Sequence, residues 1–448
     1  MNLIISNSIC NGNVTPPSSI NLSHRFLICS ALAMYQADNR TKDIKLEKVK
    51  NLVLANDTFE TLEALNNKLC KFYSESDDIR YKDRFNLNVL KNLMDKDLKE
   101  VKINIDNSFI TLKLIIPIYL ALGINVEVNI NKDINDNIID FYSYLFNNME
   151  IEYSVNKINN TCKLIGKGKL KSGDIVIEDI YDDNLCISGL LMALPLLSGN
   201  SRLVIKKIDS FDSILLTLDV MRAFGVELSY SISDSKEYIF DIKGLQTYKL
   251  RDLDELNIEN DYVAAMNFIV LGLINNGIIV NGMTQNSLQG EYKLVKEFEK
   301  LGLVSISGSD IIVNKDKELS YKEFDLTNYP DLAPIVVVYL TQTGGIIHNV
   351  NKLLFKDSNL LMTITQELGK AGIIYRYEKN KLFIDKIDKV KTNVVFDSHN
   401  EPLIAMALTI FSSINDGKAI ISDCECIARI YPNFLIDFYN CNGKYSTF

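Results

Sequence analysis

Two kinds of predicted helix alternate along the chain, and the first kind is apolar on every face. ISGLLMALPLLSGN (187–200), AAMNFIVLGLINNG (264–277), LAPIVVVYLTQTGG (332–345) and LIAMALTIFSSINDG (403–417) belong to it. A helix without a polar face is buried on all sides in a folded protein. We therefore expect these four segments to form core helices.

The second kind of helix ends at a glycine and is followed by a short strand rich in β-branched residues. LLTLDVMRAFG before VELSYSI (215–232) and YKLVKEFEKLG before LVSISG (292–308) show the pattern, which recurs at 114–130 and 360–384. Glycine suits this position because the residue after the last turn takes a left-handed backbone, which only glycine adopts at little cost. Together the two kinds predict a repeat architecture of roughly six helix–strand units in an α/β (α+β) protein.

Breaks between parts of the chain are marked only by composition. Segment 248–261, YKLRDLDELNIEND, is acidic and has no apolar face, so we interpret it as a crossover between domains. Pro16 and Pro17 mark a second break. At roughly 150 residues per domain, a chain of 448 residues predicts about two to three domains.

Composition and charge exclude several classes of protein. An apolar fraction of 47% and a charged fraction of 23% are ordinary for a globular chain and exclude intrinsic disorder. The net charge of −9 argues against a nucleic-acid binder, which needs a basic surface. No apolar run approaches the roughly 20 residues of a membrane helix, and MNLIISNSICNG at the start lacks the features of a secretion signal. We therefore expect a cytoplasmic protein that binds neither nucleic acid nor membranes. We also expect a monomer.

Eight cysteines are scattered through mostly apolar stretches, which predicts reduced, buried thiols. Cys424 and Cys426 form a C-x-C motif, and we expect both thiols on one face of a strand. A zinc site is disfavoured because the chain has only three histidines and no second cysteine pair nearby. We therefore predict no metal.

The segment TPPSSINLSHRFLICSALA (15–33) resembles the opening of the EPSP synthase (3-phosphoshikimate 1-carboxyvinyltransferase) family, which begins with a pattern like PGSKSISHRALIAAALA. Eight further segments resemble family segments and follow in family order over essentially the whole chain. They are NSFITLKLIIPIYLALG (107–123), ISGLLMALPLL (187–197), SFDSILLTLDVMRAFGV (210–226), IENDYVAA (258–265), NSLQGEYKLVKEFEKLG (286–302), NYPDLAPI (328–335), LLFKDSNLL (353–361) and ECIARIYPNF (425–434).

The resemblance implies a two-domain enolpyruvyl transferase fold, in which each domain has three repeated helix–strand units with buried core helices. Residues 1–19 and 259–448 would form one domain and residues 20–258 the other, so that the chain crosses near Ser19 and Ile258. The substrates would bind in a cleft between the domains, which closes over them.

The reaction that the resemblance implies belongs to aromatic amino-acid biosynthesis. The 5-hydroxyl of shikimate-3-phosphate adds to C2 of phosphoenolpyruvate, C3 is protonated, and phosphate then leaves, without a metal or organic cofactor. Both substrates are polyanions, so the site needs lysine and arginine donors. The proton transfers need a carboxylate and an ammonium group within reach.

Several residues match family positions with such roles. Asp331 matches the family's proton-handling aspartate. Asp357 takes the place of the glutamate in the family's KESDR motif, and we expect it to be catalytic as well. The substrate-binding positions are Arg25, Asn21, Lys113, Ser210, Lys356 and Arg429, among which Lys113 and Arg429 exchange lysine and arginine relative to the family.

Other family positions are replaced, and most replacements remove groups that would hold phosphoenolpyruvate. Ile20 stands for the family's essential lysine, Phe109 for a glycine, and Asp133, Leu360 and Leu403 for arginines. At roughly 1.5–3 kcal/mol for each lost charged hydrogen bond, four lost cations weaken binding by about 6 kcal/mol, or ~10,000-fold. The family's SSQ triplet falls at Asp183, Asn184 and Leu185, and its stacking tyrosine at Ser213.

Two functions therefore stay open from the sequence. The chain is either a divergent EPSP synthase or a catalytically impaired or re-purposed paralogue that binds a small anion without enolpyruvyl transfer. The related cell-wall enolpyruvyl transferase is disfavoured because its reactive loop cysteine has no counterpart here. For Arg25, Asp331 and Lys356 the alternative role is an ion network between domains.

Overall fold

The chain divides into two compact units in the computed structural model. Unit 1 contains Met1–Ser19 and Glu259–Phe448, and unit 2 contains Ile20–Ile258. Each unit has its own hydrophobic core. The structure describes residues 1–37, 44–46, 49–66, 72–73, 99–131, 136–158, 161–178, 183–208, 210–249, 257–320, 322–354, 359–387 and 390–448.

Helices and short strands alternate through both units. The strands of the described residues are β1 (Leu3–Ser6), β2 (Gly12–Val14), β3 (Ile44–Lys45), β4 (Phe72–Tyr73), β5 (Glu100–Ile105), β6 (Asn125–Ile130), β7 (Glu152–Ile158), β8 (Thr161–Lys167), β9 (Asp174–Ile177), β10 (Ser201–Ile205), β11 (Ser229–Ile232), β12 (Tyr238–Ile242), β13 (Ile278–Val280), β14 (Val304–Ser307), β15 (Asp310–Val313), β16 (Lys322–Asp325), β17 (Gly345–His348), β18 (Tyr375–Glu378), β19 (Lys381–Ile384), β20 (Val395–Asp397), β21 (Lys418–Ser422) and β22 (Lys444–Thr447). The helices of the same residues are α1 (Ile20–Gln36), α2 (Asn56–Asn66), α3 (Phe109–Ala121), α4 (Asp136–Asn148), α5 (Asn184–Ala193), α6 (Asp212–Ala223), α7 (Tyr262–Ile274), α8 (Tyr292–Lys300), α9 (Ala333–Thr343), α10 (Val350–Leu354), α11 (Leu360–Lys370), α12 (Pro402–Ser413) and α13 (Phe434–Asn440).

One sheet topology recurs in both units. In the sheet β5-β6-β8-β7 the first two strands are parallel, and β8 runs antiparallel to both of its neighbours. The sheets β9-β10-β12-β11, β2-β13-β15-β14 and β16-β17-β19-β18 have the same order and the same directions. Parallel neighbours need a long crossover connection. In three of the four sheets an apolar helix supplies it, namely α3, α5 or α9. The connection from β2 to β13 contains all of unit 2 as well as α7.

The N-terminal strand completes the last sheet of unit 1. That sheet has the order β20-β21-β1-β22, and β1 is antiparallel to both of its neighbours. Leu3 pairs with Ile421 on one side and with Thr447 on the other. Both ends of unit 1 are therefore bound into one sheet.

The four all-apolar segments form core helices, as the sequence predicts. They become α5, α7, α9 and α12, and nearly every residue of these helices is buried. By contrast, α8 buries only Leu294, Val295 and Phe298. The predicted α/β architecture of repeated helix–strand units with buried core helices is confirmed.

The expected position of the C-x-C motif is wrong. Cys424 and Cys426 lie in a 3₁₀ turn, Cys424–Arg429, instead of a strand. The strand ends at Ser422 because Asp423 takes a left-handed backbone with φ 57°. Both thiols are buried as predicted, and burial raises the pKa of Cys424 to about 12 and of Cys426 to about 11.

The other cysteines of the described residues are also buried. Cys70 lies outside the described residues. None of the helices that the structure describes has the length and hydropathy needed to cross a membrane.

Candidate active-site residues

A buried arginine on α1 is the centre of a hydrogen-bonded group in unit 2. Arg25 is fully buried. Its NH1 group donates to the carbonyl of Asn21, one turn earlier, at 2.8 Å, and its Nε donates to Thr217 Oγ1 at 2.7 Å. Its NH2 group donates to Ser213 Oγ at 2.9 Å and to the Ser213 carbonyl at 3.2 Å. We call these four residues the Arg25 cluster.

Every acceptor in the Arg25 cluster is neutral. Among the residues that the structure describes, no carboxylate forms an ion pair with Arg25. Burial lowers the pKa of Arg25 to about 10, so the guanidinium is still charged at neutral pH. Neutral dipoles reduce the cost of burying the charge without cancelling it, and the cluster therefore favours a negatively charged neighbour.

The predicted cation on α3 is already paired. Lys113 Nζ lies 2.8 Å from Asp183 Oδ2, and the lysine side chain is 5% exposed. Asp183 is the N-cap of α5, where its Oδ1 accepts the backbone N–H groups of Leu185 and Cys186 at 3.0 Å. Burial opposes ionisation of Asp183, but Lys113 and the two N–H groups hold its pKa below the ordinary value.

A chain of hydroxyl groups joins the start of α5 to the Arg25 cluster. Thr217 donates to Ser188 Oγ at 2.9 Å, and Ser188 donates to the Asn184 carbonyl at 2.6 Å. Helices α1, α5 and α6 therefore contribute to one connected group. Ser210 is buried directly before α6.

Two of the replaced family positions lie in packed parts of unit 2. Ile20, the first residue of α1, is buried. Phe109, the first residue of α3, is half-buried and packs against the core of the unit. The turn before it is held by Glu60, whose carboxylate accepts the N–H groups of Asn107 and Ser108 at 2.8 Å.

The predicted residues of unit 1 lie at the ends of short turns. Asp331 is half-buried in the 3₁₀ turn Pro330–Leu332, directly before α9. Arg429 ends the turn Cys424–Arg429, and its NH1 group donates to the Asn400 carbonyl at 3.0 Å. Leu360 is buried and Leu403 half-buried, and both contact the core of unit 1.

A buried glutamate on α11 holds the loop between β20 and α12. Glu367 accepts the Asp397 N–H at 2.8 Å, and its carboxylate lies 2.8 Å from His399 Nε2 and 2.6 Å from Lys370 Nζ. We call these four residues the Glu367 cluster. His399 and Asn400 both have φ 54°, a left-handed conformation that most residues other than glycine rarely adopt, and these contacts help to hold the loop in it.

Sequence motifs do not single out this cluster or the Lys113–Asp183 pair. An aspartate directly before an apolar helix is a recognisable N-cap signal, so the capping role of Asp183 could be predicted. Its pairing with Lys113 could not, because about 70 residues separate them along the chain. Lys356 and Asp357, two predicted site residues, and the replaced position Asp133 lie outside the described residues.

No group of three or more histidine, cysteine, aspartate or glutamate side chains that could hold a metal ion occurs in the part of the chain that the structure describes.

Sequence comparison places nearly the whole chain in one family. A model of the family described as EPSP synthase (3-phosphoshikimate 1-carboxyvinyltransferase) matches residues 6–438. The 3-phosphoshikimate 1-carboxyvinyltransferase of Clostridium beijerinckii is 30% identical, and the match covers 99% of this chain and 98% of that protein. The protein of the same name from Clostridioides difficile is 28% identical, over 97% of this chain and 96% of that one.

Comparison with solved structures gives the same fold. EPSP synthase from Acinetobacter baumannii superposes with a TM-score of 0.72 at 15% identity, over 100% of both chains. The enolpyruvyl transferase NikO from Streptomyces tendae superposes with a TM-score of 0.67 at 11% identity, over 99% of this chain and 98% of that one. The fold is thus the enolpyruvyl transferase fold that the sequence predicts. Since the family match, the full-length relatives and the fold agree, this chain belongs to the EPSP synthase family.

Proposed function

We propose that this protein carries out the reaction for which its family is named, transfer of the carboxyvinyl group of phosphoenolpyruvate to the hydroxyl of 3-phosphoshikimate. The full-length relationship to proteins of that name carries the proposal. The charge of the Arg25 cluster supports it, because a buried guanidinium held by neutral acceptors suits an anionic substrate.

In this proposal each predicted site residue keeps the role that its motif implies. Arg25, together with Asn21 and Ser210 of the same unit, binds the anionic acceptor. Asp331 handles the proton at C3, and Arg429 contacts phosphoenolpyruvate. Lys113 binds substrate only in competition with Asp183. Lys356, which binds substrate, and Asp357, which is catalytic, would complete the set of predicted site residues.

The rate should be low. Ile20 and Leu360 are buried apolar residues where the family has a lysine and an arginine, and neither can donate a proton or bind phosphate. We expect turnover at least about a thousandfold below a typical enzyme rate of ~10 per second. We expect the affinity for phosphoenolpyruvate and glyphosate to be too weak to detect in calorimetry, and Ile20→Lys alone not to restore it, because Phe109 remains in place.

One observation favours a second candidate, a binding protein without transfer activity. The cation Lys113 is neutralised within the chain, and the aliphatic replacements Leu360 and Leu403 are packed against the core of unit 1. Such a protein would keep the anion-binding property of Arg25 and lose the chemistry.

Phosphate release from purified protein with both substrates tests the proposal. Slow release that falls about a hundredfold in Asp331→Asn, as expected on losing a general acid–base group, supports it. Asp316→Asn, a change at an exposed turn, should leave the rate unchanged. Absence of release from protein that still binds the acceptor supports the second candidate. Turnover near one per second would show that our assignment of the replaced positions is wrong.

We further propose that the protein acts as a monomer in the cytoplasm, without a metal or organic cofactor and without nucleic-acid or membrane partners. The acidic net charge supports this part of the proposal. Light scattering after size-exclusion chromatography, at about 50.8 kDa for a monomer, tests the oligomeric state.

A further inference from the structure

Three lysines meet at one edge of a sheet in unit 2, around an open cavity of about 570 Å³. We call this cavity the Lys206 pocket, and its lining consists of Glu178, Lys206, Lys207, Ile208, Lys236 and Tyr238. None of these lining residues belongs to the Arg25 cluster or to the predicted substrate-binding positions. The function proposed above therefore does not account for the pocket.

Strand pairing explains why these side chains meet. Strands β9 and β10 are parallel, and Ile177 pairs with Ile205 at the end of both. Strand β12 is antiparallel to β10 and begins at the same edge, where Tyr238 pairs with Ile205. The residues that follow β9 and β10 and those at the start of β12 therefore lie together. The edge at which parallel strands end is a common ligand-binding position in α/β proteins.

The Lys206 pocket is positively charged, although the whole chain has a net charge of −9. Lys206 Nζ lies 2.5 Å from Glu237 Oε1, so one of the lysines has an acidic partner across the strands. When Glu178 and Glu237 are both counted, the three lysines still leave one net positive charge. Ammonium groups on flexible side chains suit the carboxylate or phosphate group of a small molecule.

An aromatic stack supports the apolar part of the pocket. Tyr238 stacks on Phe211, with ring centroids 4.8 Å apart and an angle of 29° between the ring planes. Phe211 also contacts Tyr230, with centroids 5.1 Å apart, and Phe240, with centroids 6.4 Å apart. The ring of Tyr238 is therefore held in place before a ligand arrives. Aromatic side chains pack favourably against other flat rings.

We infer that the Lys206 pocket binds a small molecule that carries an anionic group, carboxylate or phosphate, on an aromatic ring. The lysines bind the anionic group, and Tyr238 contacts the ring. The cavity lies within the range of roughly 300–1,000 Å³ for small-molecule sites and is far larger than a single ion requires. The inference goes beyond the proposed function, because it assigns a second ligand site to unit 2.

Calorimetry with three probes tests this inference. The purified protein is titrated with phenyl phosphate, inorganic phosphate and phenol. We expect phenyl phosphate to bind at least about tenfold more tightly than either of the other two, because it alone combines the charge and the ring. We expect the same affinity for phenyl phosphate in Arg25→Met, since the Arg25 cluster is not part of the pocket.

Three further variants locate the site. Lys207→Met combined with Lys236→Met should weaken phenyl phosphate binding at least about tenfold, because two cations are lost. Tyr238→Leu should weaken it about fivefold and leave the affinity for inorganic phosphate unchanged. Lys243→Met, which removes an exposed lysine beyond the opposite end of β12, is the matched control and should change neither affinity.

Three results would overturn the inference. Phenyl phosphate that binds no more tightly than inorganic phosphate would exclude recognition of a ring. An unchanged affinity in the double lysine variant, shown to be folded by circular dichroism, would place the probe elsewhere. Loss of phenyl phosphate binding in Arg25→Met would place the probe at the Arg25 cluster. Phosphate release from the two substrates is measured independently, so the proposed function and this inference can fail separately.

Discussion

The Arg25 cluster and the Glu367 cluster each bury one charged group, and they treat it in opposite ways. Arg25 is bonded only to neutral oxygens, on Asn21, Ser213 and Thr217. Glu367 is bonded to the cation Lys370, to His399 and to a backbone N–H. The charge of Arg25 is hydrogen-bonded but not neutralised by a partner of opposite charge. The charge of Glu367 is both hydrogen-bonded and neutralised by Lys370.

We expect this difference to separate a binding role from a structural one. An uncancelled charge in a poorly screened position attracts a ligand of opposite sign. A balanced charge attracts little, but it fixes the groups that balance it, in this case a loop with two left-handed residues. We therefore expect that a functional charge is identified by whether its partners are neutral or oppositely charged, and not by its depth of burial alone.

The largest expected effect comes from removing the balanced charge. Glu367→Leu leaves the Asp397 N–H without its acceptor and releases His399, so we expect the unfolding free energy of unit 1 to fall by about 3 kcal/mol. Urea unfolding followed by fluorescence measures it. Glu367→Gln, which keeps an acceptor oxygen, should cost about 1 kcal/mol. Equal losses in the two variants would contradict an anchoring role.

A pH effect next to Arg25 should be the second largest. His24 is fully buried, and burial, with a smaller contribution from Arg25, lowers its pKa to about 3, from 6.5 in the unfolded chain. Between these values the unfolded state binds more protons, so stability falls as the pH falls from 6.5 towards 3, by up to ~1.4 kcal/mol per pH unit.

The variant His24→Gln isolates this effect, because glutamine can keep the contact that His24 Nδ1 makes with Thr61 Oγ1 at 2.6 Å. Unfolding of unit 2 is compared at pH 7 and pH 5 in both proteins. The wild-type protein should lose about 2 kcal/mol more than the variant. Equal losses of unfolding free energy in the two proteins would mean that His24 takes up a proton as readily in the folded state as in the unfolded chain.

Removing the uncancelled charge should change stability little and binding greatly. Arg25→Met leaves neutral acceptors on Asn21, Ser213 and Thr217 without this donor, but it also removes the cost of burying a charge. We therefore expect the unfolding free energy to fall by no more than about 1 kcal/mol. The same variant should lose measurable binding of shikimate-3-phosphate in calorimetry. A loss of stability above about 3 kcal/mol would place Arg25 with Glu367 as a structural charge.

The smallest expected effect is at the rim of the Glu367 cluster. Lys370 is 45% exposed, so its ion pair with Glu367 is screened by water. Lys370→Met should change the unfolding free energy by no more than about 0.5 kcal/mol. A larger loss of unfolding free energy in urea would show that neutralising the charge of Glu367 matters more than hydrogen-bonding its carboxylate.

The sequence predicts what depends on local pattern and motif order. The core helices α5, α7, α9 and α12 follow from apolar runs, because burial on all faces leaves no room for polar positions. Motifs assign Arg25 and Asp331 to the site, and that assignment stays a prediction. The repeat of one sheet topology follows from the alternation of helices and short strands along the chain.

What the sequence does not predict depends on pairing across long distances. The Lys113–Asp183 pair, the hydroxyl path through Thr217 and Ser188, and the anchoring of His399 by Glu367 all join residues from different helices or loops. Local pattern carries no signal for such contacts. The left-handed residue Asp423, which turns the C-x-C motif out of its strand, is missed for a similar reason, because aspartate tolerates this backbone without requiring it.

The position of β1 between β21 and β22 has a consequence for how the protein is made. The ribosome completes unit 2 before it makes β13 to β22, so unit 2 can fold first while the remainder is still being synthesised. Strand β1 precedes unit 2 along the chain, whereas both of its partners follow unit 2. The nascent chain therefore carries an apolar strand with two open edges for most of its synthesis, a state that favours pairing with other chains. Cellular factors that bind emerging apolar segments should engage this protein at β1.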